Sequence, residues 1–211
     1  MSSLRVQNRL FVIPAYPDDE VFDCGGSIAC HADVGDQRKV SIIPEGVISF
    51  HQQRDRIQVS ENLFGWAQVV QTSGSICGVV DVGLLELPVT RLDALDCVNR
   101  IEERIDRHQP QVAYVHHAGD VKVDQRRLHE AVITFCRITL GQPLSLVLGI
   151  EMAISNEWKP LVFPLNWFVD ISDNLACKLE DLVTYTSDVF PWLPARCLQK
   201  EEASCLLWQL V

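Results

Sequence analysis

Two clusters of residues in this chain have the types and spacing to do chemistry. The first is Tyr16-Pro17-Asp18-Asp19-Glu20, directly after an apolar run that ends at Ile13. Two adjacent carboxylates at a strand end can divide labour. One binds a hard or borderline cation, and the other takes a proton from a water bound to that cation. The same residues also suit a solvated turn that opens a helix, because aspartates favour helix N-termini. Both readings stay open on this motif alone.

The second cluster runs His116-His117-Ala118-Gly119-Asp120-Val121-Lys122-Val123-Asp124-Gln125-Arg126, followed by Leu128-His129-Glu130. It follows an apolar strand and opens a helical pattern. Imidazole, carboxylate and ammonium groups at a strand-to-helix turn are costly to place for structure alone. Open α/β sheets put their sites beyond the carboxyl ends of the strands, so both clusters are expected on one face of the molecule.

The elements that must position these groups alternate along the chain. Leu10–Ala15 reads as a first strand and Gly26–Asp33 as a helix stopped by Gly35. Lys39–Ile43 reads as a strand, His51–Phe64 as a helix ended by Gly65, and Gln68–Gln71 as a short strand. Val79–Leu87 is apolar enough for another strand. Leu92–His108 is a helix with Leu92, Leu95, Val98, Ile101 and Ile105 on one face and Pro110 past its end. Val112–His116 is a buried strand and Arg126–Ile138 the helix after it. Leu144–Met152 and Trp167–Ile171 read as later strands, and Leu175–Val189 and Leu198–Leu210 as later helices. Residues 154–166 read as a long loop on the active face. The alternation predicts an α/β fold of three layers, with a mostly parallel central sheet and helices on both faces.

Composition narrows the function classes. The chain has 211 residues, 47% of them hydrophobic and 22% charged, which suits one domain over 1–211 with a full core. A formal net charge of −10 argues against nucleic acid or an anionic membrane as the partner. No apolar run reaches the roughly 18 residues of a membrane span. The first residues run straight into a strand with no signal-peptide layout, so the expected compartment is the cytoplasm. Eight cysteines are spread along the chain with no C-x-x-C pair, which reads as reduced core thiols.

Taken together, the motifs resemble the PIG-L/LmbE family of zinc-dependent de-N-acetylases. That family opens with a strand and A-H-P-D-D-E, then G-C-G-G-T; here Ala15, Pro17, Asp18, Asp19, Glu20, Cys24, Gly25 and Gly26 match. Its later motif, T-H-H-x-G-D-x-N-x-D-H-R-x-x-H-E-A-V, is matched by His116, His117, Gly119, Asp120, Asp124, Arg126, His129, Glu130, Ala131 and Val132. Leu87-Pro88 with Arg91-Leu92-Asp93, and Asn166 to Ile171, look like two further family segments. The resemblance implies a Rossmann-like fold and hydrolysis of the N-acetyl amide of an amino-sugar derivative. It implies Asp18 as general base, Asp19 as a metal ligand and Asp124 as the carboxylate that orients a neighbouring histidine. Arg54, Lys122 and Arg196 become candidate substrate contacts.

The departures fall at the chemistry. The family's three zinc-ligand positions are here Tyr16, Asp19 and Gln125, so one ligand of the set is kept. An asparagine of the later motif is Lys122, and a late histidine is Pro194. A phenol with a pKa near 10 and a neutral amide are poor zinc donors, and an ammonium beside the site repels a dication. His129 is one helical turn beyond Gln125, about 6 Å along the axis; His116 and His117 are the other substitutes. The expectation is therefore a deacetylase fold with zinc weak or absent and zinc-dependent catalysis lost or much reduced. Two alternatives stand beside it: an active hydrolase using His116, His117 or His129, and a non-catalytic sugar- or protein-binding module. The partner implied is a small amino-sugar derivative, and nothing in the sequence speaks to an oligomer.

Overall fold

The computed structural model describes residues 7–43, 56–84, 94–136, 143–152, 163–185 and 197–208. Five strands form one sheet: β1 (Arg9–Ile13), β2 (Gln37–Ile42), β3 (Asp81–Leu84), β4 (Val112–His116) and β5 (Leu146–Ile150). Their order is β3-β2-β1-β4-β5, and every neighbouring pair is parallel. The helices are α1 (Asp19–Asp33), α2 (Arg56–Ile76), α3 (Ala94–His108), α4 (Val123–Phe135), α5 (Leu175–Thr184) and α6 (Leu198–Trp208).

Strand alternation sorts β1 between two cores. Phe11 and Ile13 pack with Ile101 and Ile105 of α3 and Leu128 and Val132 of α4. Leu10 and Val12 pack on the other face with Cys24 and Ile28 of α1 and Val70 of α2. All four β1 side chains are fully buried, each stabilising by roughly 1.5–3 kcal/mol through burial alone. Helices thus cover both faces, as an all-parallel sheet requires. The strand order reverses between β1 and β4, so the crevice beyond their carboxyl ends is the topological switch point.

Several expected elements change. α1 begins at Asp19, seven residues before the expected Gly26. Its first turn closes on the Asp18 carbonyl, which accepts from Val21 N and Phe22 N at 3.0 Å each. The glycine pair lies inside the helix for packing. A Cβ on Gly26 would meet Ile171 at 2.6–2.9 Å. Gly65 does not end a helix: α2 runs through it to Ile76 and absorbs the strand expected at Gln68–Gln71. Trp167–Ile171 is irregular, with Trp167 57% and Phe168 58% exposed. Among the described residues that segment pairs with no strand and runs along α1 instead, where the Asp170 carbonyl accepts from Cys30 Sγ.

Other boundaries shift by a few residues. α4 starts at Val123, and β5 is confined to Leu146–Ile150. α5 ends at Thr184 and the described part of α6 at Trp208. Residues 1–6, 44–55, 85–93, 137–142, 153–162, 186–196 and 209–211 lie outside the described residues, with the parts of the expected elements that fall there.

Candidate functional site at the β1–β4 switch point

β1 delivers Tyr16 to Glu20 and β4 delivers His116 to Gln125 to the same crevice. The two loops are tied by direct hydrogen bonds between candidate site residues. The Gln125 Nε2 amide donates to Asp19 Oδ2 at 3.1 Å, with both side chains buried. The Tyr16 hydroxyl donates to Asp124 Oδ2 at 2.9 Å. Tyr16 N donates to Asp19 Oδ2 at 3.1 Å. The Lys122 ammonium lies 4.3 Å from the centre of the Tyr16 ring, a cation–π contact. So Tyr16, Asp19, Lys122, Asp124 and Gln125 converge.

His116 completes the knot from the end of β4. Its Nε2 lies 2.9 Å from Ala15 N and 3.2 Å from Asp19 Oδ2, between a backbone amide and a carboxylate. Burial pushes the Asp19 carboxyl up. Hydrogen bonding and charge from His116, the charge of Lys122 and the Gln125 amide outweigh it, so Asp19 sits below its ordinary range. Asp19 is thus a carboxylate balanced by the protein's own donors.

Asp18 takes a different posture. It is 2% exposed and adopts φ 101°, the left-handed region that costs a non-glycine residue strain. Its backbone N–H donates to Glu20 Oε2 at 3.0 Å, which holds that conformation. Glu20 in turn accepts a hydrogen bond from the Tyr185 hydroxyl through Oε1. Burial pushes the Glu20 carboxyl up to about 8. Sequence reasoning missed Glu20 and Tyr185 as supports of Asp18. They are 165 residues apart, and no local pattern connects them.

The turn before α4 is a structural device. Asp120 Oδ1 accepts from Lys122 N at 2.9 Å, and Arg126 Nη1 donates to the carbonyls of Asp120 and Val121 at 2.6 and 2.7 Å. This fixes Lys122, Asp124 and Gln125 on the crevice side. Arg54, Pro194 and Arg196 lie outside the described residues.

The donor set does not fit zinc. The Tyr16 hydroxyl is committed to Asp124, and the Gln125 amide presents a donor N–H to the carboxylate that zinc would need. His116 Nε2 is already engaged between Ala15 N and Asp19 Oδ2. His117 Nδ1 accepts from Gly119 N at 3.1 Å, and the ring sits edge-on to Phe163. His129 Nδ1 donates to the His116 carbonyl at 2.7 Å. Among the described residues, no group of three or more His, Cys, Asp or Glu side chains is placed to share an ion.

Neither a family model nor a curated protein sequence matches the chain. Solved structures do. A conserved protein from Thermus thermophilus has a TM-score of 0.73 at 18% identity, covering 97% of this chain and 89% of that one. The N,N'-diacetylchitobiose deacetylase from Pyrococcus horikoshii has a TM-score of 0.69 at 16% identity, covering 94% and 75%. The 4-carboxy-2-hydroxymuconate hydratase GalB from Pseudomonas putida has a TM-score of 0.61 at 20% identity, covering 84% and 78%. At these identities the likeness is one of architecture: the chain has the fold of the LmbE-like deacetylases.

Proposed function

We propose that this chain is a deacetylase-fold protein in which zinc-dependent hydrolysis has been lost, and whose crevice binds an amino-sugar derivative without cleaving it. The observation that carries the reading is the Gln125 amide donating to Asp19 Oδ2 at 3.1 Å. An N–H aimed at the one retained ligand fills the place of the cation with a hydrogen bond. Lys122 adds the positive charge that the carboxylate otherwise lacks. In this reading Asp18 and Asp124 keep the positions of a base and an orienting carboxylate, but Asp124 holds a phenol rather than an imidazole.

The hydratase among the structural neighbours supports separating fold from chemistry, since one architecture carries different reactions. Residues 1–211 are read as one such domain, working in the cytoplasm as a thiol protein.

Zinc titration against a competing chelator, with acetate release from N-acetylglucosamine derivatives measured on the same protein, tests the proposal. The expected result is no stoichiometric zinc, no acetate, and a thermal midpoint unmoved by EDTA. Stoichiometric tight zinc with acetate release overturns it and revives His116, His117 or His129 as substitute ligands.

A further inference from the structure

Two thiols outside the crevice face each other where α5 packs against the end of α2. Cys77 follows the last residue of α2 and is 3% exposed; Cys177 lies in the first turn of α5 and is partly exposed. They are 100 residues apart in sequence, yet their Sγ atoms are 3.9 Å apart. Cys177 Sγ also donates to the Ile76 carbonyl at 3.5 Å, which holds it against the α2 terminus. Gly78, at φ +71°, turns the chain immediately after Cys77. A disulfide needs about 2.05 Å between sulfurs. The sulfurs are thus in contact and unbonded, and a bond requires them to come closer by about 2 Å.

We propose that Cys77 and Cys177 are a redox-closed staple that forms an intramolecular disulfide when a low-molecular-weight disulfide such as oxidised glutathione is present. The Cys177 thiolate, the more accessible of the two, attacks one sulfur of oxidised glutathione and releases the first glutathione thiolate. The Cys77 thiolate then attacks the Cys177 sulfur of the mixed disulfide. The Cys77–Cys177 bond forms and the second glutathione leaves. Two protein thiols are oxidised, one glutathione disulfide is reduced to two thiols, and the two thiol protons end on the leaving groups.

The surroundings set the rate and the consequence. Burial holds both thiols above their ordinary range, so few thiolates are present and the pair stays reduced without a sustained oxidant. Asp181 lies beside Cys77, where its carboxylate can take the thiol proton during the second attack. The staple pins α5 to the α2–β3 turn. α5 carries Lys178, paired with Glu201, and leads into Tyr185, which holds Glu20 at the crevice. Oxidation therefore stiffens the support of the crevice without touching it.

The test is to hold the folded chain in oxidised glutathione, block remaining thiols, digest without reductant and map the linked peptides. The expected result is one linked pair joining Cys77 to Cys177, with the loss of two hydrogens. A rise in thermal midpoint of about 5 °C or more, reversed by dithiothreitol, should accompany it. Cys177→Ser should abolish both effects, and Cys177→Ala serves if the serine hydroxyl unfolds the protein. Glutathione retained on Cys177, a bond to any other cysteine, or thiols that stay reduced while the protein remains folded would each overturn the staple.

Discussion

At position 125 an amide donates to a carboxylate where the resemblance calls for an imidazole beside it. Histidine there would present a ring lone pair to the same space, and histidine at position 16 would do the same from the other loop. Ligands to one ion act as a unit, so their effects should not add. Tyr16→His with Gln125→His is expected to tighten zinc binding by roughly two orders of magnitude more than the sum of the single changes. Lys122→Asn should tighten it further, because that ammonium helps to hold Asp19 ionised and would oppose a dication. Chelator-competition titrations of the wild type, both single variants, the double and the triple measure this. A double variant no tighter than the wild type would mean that positions 16 and 125 do not frame the metal position.

At the scale of elements, the two kinds of helical glycine separate by what surrounds them. Gly26→Ala puts a methyl 2.6 Å from Ile171 Cδ1, inside a packed contact between α1 and the Trp167–Ile171 segment. It should cost about 1–3 kcal/mol. Gly65→Ala, in the exposed interior of α2 with nothing within 4 Å, should stabilise by about 0.5–1 kcal/mol. Urea denaturation of both variants checks the pair, and equal effects would contradict the packing described for α1. The same contrast explains how much of the fold was legible. β1, β4 and α3 were readable because a continuous apolar run or a clean helical stripe is local information. β4 in particular matched at both ends, Val112–His116. Gly65 and Gly26 were misread as boundaries because a glycine's letter does not say whether it ends a helix or admits a neighbour. Trp167–Ile171 has a strand's composition but lies along α1 rather than on the sheet, which only tertiary structure reveals. At the site, both motifs and their convergence were readable from topology. The bonds Tyr16–Asp124, Gln125–Asp19 and Tyr185–Glu20 were not, because each pairs residues far apart in sequence.

Across the whole molecule, the sheet order explains why chemistry-bearing residues gather in one crevice. The acids behind it bear on stability. Asp181 lies on the buried face of α5 at 1% exposure, near Ser73 and Cys77. Burial pushes its carboxyl up from 3.8 to about 6. The folded chain therefore binds this proton more tightly than the unfolded chain does. The sign follows: the stabilisation is full below about pH 4 and is lost as pH rises through about 6. A shift of about two units corresponds to at most about 3 kcal/mol. Asp36 works in the opposite sense. Burial pushes it up, but the hydrogen bond from His31 and that from Asn8 N hold it below its ordinary range, so its contribution is lost only as pH falls below about 4. Glu20, raised to about 8, loses stabilisation over much of the same range as Asp181, but it does so in any variant that keeps it. The Asp181 charge also helps to raise Glu20, so a comparison of wild type with a variant at position 181 over pH 4 to 7 reads the Asp181 effect together with that coupling, which acts in the same direction. Asp181→Asn replaces a titrating group with a neutral one of the same shape. The variant's stability relative to wild type should rise across that interval, by up to about 3 kcal/mol at pH 7. Urea midpoints taken at pH 4, 5, 6 and 7 for both proteins measure the difference. A constant difference across the four values would mean that Asp181 ionises in the folded chain as freely as it does in the unfolded one.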